Sequence, residues 1–255
     1  MCHGRRVHRA ELHFHLLPGV DDGPVDIEES VELGRLAVAD GTSLITVTPH
    51  VRDLLRRGIL DELPARVADV AAALARAGVP LEIRAGAELA HDDVPFLADP
   101  QLDAIAQGPA GARWVLLEAP LFGDDLDGFL AATAEVRARG FGTLIGHPER
   151  CAPLMEAPEA VAAERRAGAW LQVNGSSLTG RHGRQARRWG IELLRSGAAG
   201  VIASDAHRPS RPSVLSAALA VLADAGVTGG ETFVGANPRA LLRNGMQAAP
   251  VARAA

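Results

Sequence analysis

The sequence of 255 residues contains no lysine and no tyrosine, so all 26 of its basic residues are arginines. The absence of lysine excludes a catalytic lysine, a Schiff base and a phosphate-binding loop that depends on lysine. The absence of tyrosine means that the chain cannot itself be phosphorylated on tyrosine. Any catalytic chemistry therefore has to come from other residue types.

The sequence also contains few cysteines, no excess of basic charge and no long apolar run. Cys2 and Cys151 are too few to build a disulfide framework in a chain of this length. No stretch approaches about 18 consecutive apolar residues and no apolar run precedes Glu11, so we expect neither membrane insertion nor a signal peptide. The net charge of −5 gives no electrostatic reason to expect nucleic-acid binding. The expected location is the cytoplasm.

What the sequence does contain is an alternation of short apolar strands and helices, repeated about seven times. The strands are predicted at 10–15, 44–48, 81–87, 114–117, 143–145, 170–173 and 201–203. The helices are predicted at 26–40, 61–77, 125–139, 158–167, 184–196, 214–225 and 238–244. Residues 51–60 stay ambiguous, and 90–109 are predicted to be irregular. This pattern is typical of an α/β fold with a parallel sheet, either a barrel or an open doubly wound sheet. We expect one domain over 1–255, with its core at about 10–245 and flexible termini.

The first strand places two histidines side by side. Side chains alternate between the two faces of a strand, so His13 and His15 point the same way. Two neighbouring imidazoles, followed by a carboxylate at Asp22, are typical of the beginning of a metal site. Alone, this pair could equally be two polar positions that face solvent.

Six of the seven strands end in similar residues, which favours the metal site and the barrel, because barrels collect their reactive groups at strand ends. Each residue alone could be an ordinary capping or hydrogen-bonding group. Crowded carboxylates repel one another, however, and divalent cations remove that cost. The set exceeds the needs of one ion, so we expect two or three, with manganese, iron or zinc as candidates. The candidate ligands are His13, His15, Asp22, His50, Glu88, Glu118, His147, Asp205 and His207. The other histidines, His3, His8, His91 and His182, are predicted to lie on the surface.

These residues resemble the PHP (polymerase and histidinol phosphatase) superfamily of metal-dependent phosphoesterases. Within it, the chain is similar to bacterial protein-tyrosine phosphatases encoded with capsule and exopolysaccharide genes, over about residues 10–245. Leu-Pro-Gly-Val-Asp-Asp-Gly at 17–23 and Gly-His-Pro-Glu-Arg at 146–150 are specific to this branch. The other matching stretches are His13-Phe14-His15, Thr48-Pro49-His50, Gly86-Ala87-Glu88-Leu89, Leu117-Glu118, Gln172-Val173-Asn174, Ser177-Leu178-Thr179-Gly180, Ser204-Asp205-Ala206-His207, Asn237-Pro238 and Asn244.

The resemblance implies a distorted (β/α)7 barrel with three metal ions, most often manganese. It implies three ligand groups: His13, His15, Glu88 and Asp205; then Glu88 (bridging), Glu118 and His147; then Asp22, His50 and His207. It also implies two phosphate-binding arginines, which are Arg150 and one of Arg208 and Arg211. Arg211 is the better match.

The chain departs from the family pattern at three places. Glu11 stands where aspartate is usual; it is not a ligand, so we expect little effect. Val51 follows Thr-Pro-His where the family often has a second histidine, and the connector 51–60 lacks the usual aromatic and asparagine residues. That connector borders the substrate entrance, so these departures bear on substrate identity more than on hydrolysis.

The resemblance implies a metal-dependent protein-tyrosine phosphatase that acts on the tail of a membrane-linked tyrosine kinase. Two alternatives stay open: hydrolysis of a small phosphate monoester, such as a histidinol-phosphate-like compound or a nucleotide, and a non-catalytic metal-binding module. A cysteine-based mechanism has no support, because Ala157 occupies the arginine position of a Cys-x5-Arg loop that would begin at Cys151. The oligomeric state is left open.

Overall fold

The computed structural model describes residues 8–121 and 125–246. Its strands are β1 (Arg9–Phe14), β2 (Thr42–Val47), β3 (Glu82–Ala85), β4 (Glu88–Ala90), β5 (Trp114–Glu118), β6 (Gly142–Gly146), β7 (Trp170–Asn174) and β8 (Val201–Ala203). Its helices are α1 (Ile27–Ala39), α2 (Val51–Arg57), α3 (Leu63–Arg76), α4 (Asp99–Ile105), α5 (Leu126–Ala138), α6 (Ala152–Met155), α7 (Pro158–Arg166), α8 (Gly175–Leu178), α9 (Gly183–Arg195), α10 (Leu215–Asp224) and α11 (Asn237–Asn244). The sequence predicts flexible termini, and most of these terminal residues lie outside the described ones.

All strand pairs are parallel, and they form two sheets. The first has the order β1-β2-β3, and the second runs from β4 to β8 in sequence order. Parallel bridges between Phe14 and Ala206, and between His50 and Glu88, connect segments of the two sheets. The α/β class and the parallel strands are confirmed, whereas the closed barrel stays a prediction.

The predicted third strand, 81–87, is confirmed only in part. It contains β3, which pairs with β2, whereas β4 begins after it, at Glu88, and pairs with β5. The break lies at Gly86, where a Cβ atom would approach Thr46 Cγ2 and Gln107 Nε2 to 2.7 Å each. Glu88 therefore begins a strand of the second sheet instead of ending a strand of the first.

The seven predicted helices are confirmed, and more helix is present than predicted. The ambiguous connector 51–60 contains α2, which buries Val51 and Leu54 on one face and ends at Gly58 with a left-handed φ of 68°. The region 90–109, predicted to be irregular, contains a 3-10 helix at His91–Phe96 as well as α4. No helix in the described parts of the chain is both long and apolar enough to cross a bilayer.

A small apolar cluster joins the two sheets. It combines Leu12 and Leu44 of the first sheet with Trp114 and Leu144 of the second. The end of α11 covers this cluster, and the indole N–H of Trp114 donates a hydrogen bond of 3.1 Å to the carbonyl of Leu241. Both sheets therefore contribute to one interior, which is covered by α11.

Glu11 connects β1 to the chain segment that follows β8. The carboxylate is fully buried, and it accepts hydrogen bonds from Ser204 N at 2.6 Å and from Ser213 Oγ at 2.8 Å. Burial raises the pKa of Glu11 to about 7. Because Asp205 and His207 lie between these two serines, Glu11 holds in position a segment that contains candidate ligands.

Replacing Glu11 with alanine should lower the free energy of unfolding by about 2 kcal/mol, because the buried N–H of Ser204 would lose its acceptor. Urea denaturation of the metal-free protein measures this loss. Glu11→Gln keeps one carbonyl acceptor and should lose less. An alanine variant as stable as the wild type would contradict the positioning role.

Candidate metal centre

The centre is built around the buried carboxylate of Glu88, at the start of β4. Four histidines surround it. Oε2 lies 3.1 Å from His13 Nε2, 3.3 Å from His15 Nε2 and 3.1 Å from His50 Nδ1, and Oε1 lies 3.1 Å from His147 Nε2. Burial opposes ionisation of Glu88, but the charge of His13 and the histidine hydrogen bonds hold its pKa well below the usual range.

Glu118 lies at the side of this group. Its carboxylate is 3.8 Å from His147 Nε2 and is largely buried. Burial, followed by the negative charge of Glu88, raises the pKa of Glu118 to about 8. Without a cation, Glu118 is therefore largely protonated at neutral pH, and a bound cation would favour its ionised form.

Two aspartates complete the centre. Asp205 Oδ1 lies 3.4 Å from His13 Nε2 and 3.5 Å from His15 Nε2. Asp22, which is more exposed, lies 3.2 Å from His207 Nε2 and 3.5 Å from His50 Nε2. Hydrogen bonds from these two histidines lower the pKa of Asp22. The centre thus extends from a fully buried floor to a solvent-facing edge at Asp22.

All nine predicted ligands come together, in four overlapping groups whose donor atoms lie within 4.8 Å of one another. Imidazole nitrogens and carboxylate oxygens are suitable ligands for manganese, iron and zinc, so the residues present fit divalent cations. The groups are His15, Asp22, His50 and His207; His13, His15 and Glu88; His13, His147 and Asp205; and His50, Glu88 and Glu118.

Backbone strain is concentrated at this centre. His147 and Asp205 have φ values of 34° and 53°, and they are the two non-glycine residues with positive φ in the described parts of the chain. This conformation is unfavourable for residues with a Cβ atom, and such strain is typical of functional sites. His147 directly follows β6, and Asp205 lies two residues after the end of β8.

Sequence reasoning assigned no role to three side chains that orient the candidate ligands. Asp21 Oδ2 lies 2.8 Å from His15 Nδ1, and Gln172 Oε1 lies 3.0 Å from His13 Nδ1. Asn174 Nδ2 donates to Asp205 Oδ2 at 2.7 Å. Such contacts fix the ring orientation or carboxylate position of a ligand. The sequence contains one sign of this role, because the two-residue spacing of Gln172 and Asn174 places them on one face of β7.

The three candidate phosphate-binding arginines lie in different surroundings. Arg211 donates to Asp205 Oδ2 at 2.6 Å, and the Arg150 guanidinium lies 3.6 Å from the same oxygen. Arg150 and Arg211 line a cavity of about 130 Å³ together with seven of the candidate ligands and Leu121. Arg208 instead pairs with Glu29 of α1 at 2.8 Å. Of the two arginines left open by the sequence, Arg211 is therefore the one that faces the centre.

His182 is not the simple surface residue that the sequence predicts. It is half-buried, and its Nδ1 lies 2.8 Å from Ser177 Oγ, which contacts Glu149 Oε1 at 2.6 Å. Burial and then the charge of Arg150 lower the pKa of His182 to about 4. His91 is also half-buried and lies 3.3 Å from Asp125. His8 is exposed as predicted, and His3 lies outside the described residues.

The chain is similar to known proteins in sequence and in structure. The tyrosine-protein phosphatase YwqE of Bacillus subtilis strain 168 is 29% identical over 204 residues, which cover 77% of this chain and 76% of YwqE. CapC of Staphylococcus aureus, named as a candidate tyrosine-protein phosphatase, is 24% identical over 209 residues, 80% of each chain. A solved structure from work on YwqE and Streptococcus pneumoniae CpsB, described as unique metal-dependent tyrosine phosphatases, matches with a TM-score of 0.74 and 24% identity. It covers 96% of this chain and 100% of that one.

The fold and the donor set define an α/β protein with a candidate centre for several metal ions. The model of the family described as "Capsular polysaccharide synthesis, CpsB/CapC" matches residues 9–243. The chain belongs to this family, and the resemblance to capsule-associated phosphatases that the sequence motifs indicate is confirmed.

Glu88→Gln should lower the metal content by more than one ion per chain, because Glu88 belongs to two of the four donor groups. Elemental analysis of metal-loaded, desalted protein measures this content. Glu164→Gln is the matched control, since Glu164 is also buried but pairs with Arg137, away from the centre. Wild-type metal content in Glu88→Gln would contradict the central role of Glu88.

Proposed function

We propose that this protein is a metal-dependent protein-tyrosine phosphatase of capsule or exopolysaccharide synthesis. The observation that carries the proposal is the convergence of two arginines and the candidate metal ligands on one cavity. Arginine side chains recognise phosphoryl oxygens, and divalent cations promote attack at phosphorus. The names of YwqE and CapC support phosphotyrosine as the substrate.

We assign the ligands to three ions, as the family resemblance implies. His13, His15, Glu88 and Asp205 hold the first; Glu88, Glu118 and His147 hold the second; Asp22, His50 and His207 hold the third. The observed donor groups support the third set most directly, with His15 as an additional neighbour. Manganese is the proposed metal, and iron and zinc accept the same ligands.

In this proposal the metal ions supply a water of lowered pKa and positive charge beside the phosphoryl group. Arg150 and Arg211 donate hydrogen bonds to the phosphoryl oxygens and offset the negative charge that increases during the reaction. A tyrosine leaving group is a phenol with a pKa near 10, so it needs less protonation than an alkyl alcohol. Cys151 takes no part, because its thiol is buried and burial raises its pKa.

The proposal also includes the fold, the substrate and the location of the protein. The two sheets act as one distorted (β/α)7 barrel within a single domain, which is supported by the cluster that combines side chains from both sheets. The substrate is the phosphorylated tail of a membrane-linked tyrosine kinase, and the protein acts in the cytoplasm.

The metal-loaded protein should hydrolyse a phosphotyrosine peptide, and removal of the metal by a chelator should abolish the activity. Readdition of manganese should restore it. His147→Ala, which removes a candidate ligand, should reduce kcat by at least about a hundredfold. Faster hydrolysis of histidinol phosphate or a nucleotide than of the peptide, by orders of magnitude, would contradict the proposal. Bound metal without phosphatase activity would indicate a binding module instead.

Arg211→Gln should reduce kcat/KM for phosphotyrosine by about a hundredfold, because a partly buried charged donor to the phosphoryl group is lost. Arg208→Gln is the matched control, since Arg208 pairs with Glu29 instead of facing the cavity. It should change kcat/KM less than about threefold. Equal losses in the two variants would show that Arg211 has no special contact with phosphate.

A further inference from the structure

Helix α9 presents an unusual concentration of positive charge. Arg184, Arg187, Arg188 and Arg195 line a shallow cavity of about 360 Å³, which we call the arginine basin. All four are exposed. The basin contains one carboxylate, Glu192, and it lies 2.9 Å from Arg195.

The other three arginines of the basin have no carboxylate within 4 Å among residues 8–121 and 125–246. Some exposed arginines on other elements have one, such as Arg35, which lies 3.5 Å from Glu32, whereas Arg76 and Arg243 have none among the described residues. What distinguishes the basin is that several such arginines are clustered on one helix. The basin is therefore a local excess of positive charge on a chain with a net charge of −5.

Helix stability does not explain this arrangement. Arg184 and Arg188 are four residues apart, and Arg184 and Arg187 are three apart, so like charges are neighbours on the helix surface. Arg184 also lies in the first turn of α9, where the helix dipole favours negative side chains, and that turn contains no acidic residue. The arginines weaken the helix in both respects, and a negatively charged ligand would relieve both.

The basin begins beside the candidate active site. His182 directly precedes α9 and contacts Ser177, which contacts Glu149, the neighbour of Arg150. From there, Arg184 and Arg195 are separated by eleven residues of helix, or about 16 Å. An extended peptide covers that distance in about five residues.

We propose that the arginine basin binds an acidic segment of the protein substrate that flanks its phosphotyrosine. This inference rests on the proposed function and adds a recognition surface outside the cavity of the metal centre. A membrane surface fits less well, because membrane-binding faces combine basic residues with exposed apolar ones. The large apolar residues exposed in the described parts of the chain are Val25 and Phe96, and neither belongs to α9.

Two phosphotyrosine peptides test the proposal, one with aspartates on both sides of the phosphotyrosine and one with alanines in their place. The metal-loaded wild type should have a KM about tenfold lower for the acidic peptide, with similar kcat, because several exposed charge pairs each contribute modestly. The preference should decrease as salt is added. The triple variant Arg184→Gln, Arg187→Gln, Arg188→Gln should lose it.

The matched control is the triple variant Arg35→Gln, Arg76→Gln, Arg243→Gln, which removes the same charge from exposed positions on other helices. It should keep the preference, and both triple variants should hydrolyse p-nitrophenyl phosphate like the wild type. A wild type without the preference, or equal losses in both triple variants, would overturn the inference alone. So would basin-dependent binding to anionic lipid vesicles without a peptide preference. A wild type that hydrolyses no phosphate ester would overturn the proposed function and this inference together.

Discussion

The structure depends on one electrostatic constraint, the burial of the Glu88 carboxylate among four imidazoles. A buried carboxylate is costly unless it is paired. Its partners come from segments far apart in the chain: His13 and His15 at the end of β1, His50 after β2 and His147 after β6. The charge of Glu88 can be balanced only when both sheets bring their strand ends together, so the fold and the centre depend on each other.

The same constraint explains the strained and orienting residues around the centre. His147 and Asp205 adopt positive φ values, which persist only where the surroundings enforce them. Asn174 holds Asp205, and Glu11 holds the backbone just before it, at Ser204. A site of several charged groups needs this support, because small displacements would move apart the side-chain atoms that have to meet at one ion.

The sequence was sufficient for most of the elements and for a set of candidate ligands that the structure brings together, because both rest on local signals. Apolar alternation locates the strands, and residue type at strand ends locates the ligands. The break at Gly86 could not be predicted, since it depends on the close approach of Thr46 and Gln107 from distant parts of the chain. The partners of His182 and Arg208 were hidden for the same reason. Helix α2 was missed because its short apolar face, Val51 and Leu54, is hard to distinguish from a loop.

Both the sequence and the three-dimensional structure contribute to the case for the arginine basin. The arginines of α9 are visible in the sequence, but a run of charged residues on a helix is usually only a solvated surface. Three of them, Arg184, Arg187 and Arg188, have no carboxylate partner in the described residues, and this is visible only in three dimensions. The same is true of the contact between His182 and Ser177 beside Glu149. Together these observations connect a charged surface to the candidate active site.

A crystal structure of the protein grown with Mn²⁺, with anomalous diffraction data, would show whether Glu88 lies between metal ions at the junction of the two sheets. We expect two or three anomalous peaks among the nine donor residues, with Glu88 oxygens contacting two of them. Peaks elsewhere, or a single peak that Glu88 does not contact, would contradict it.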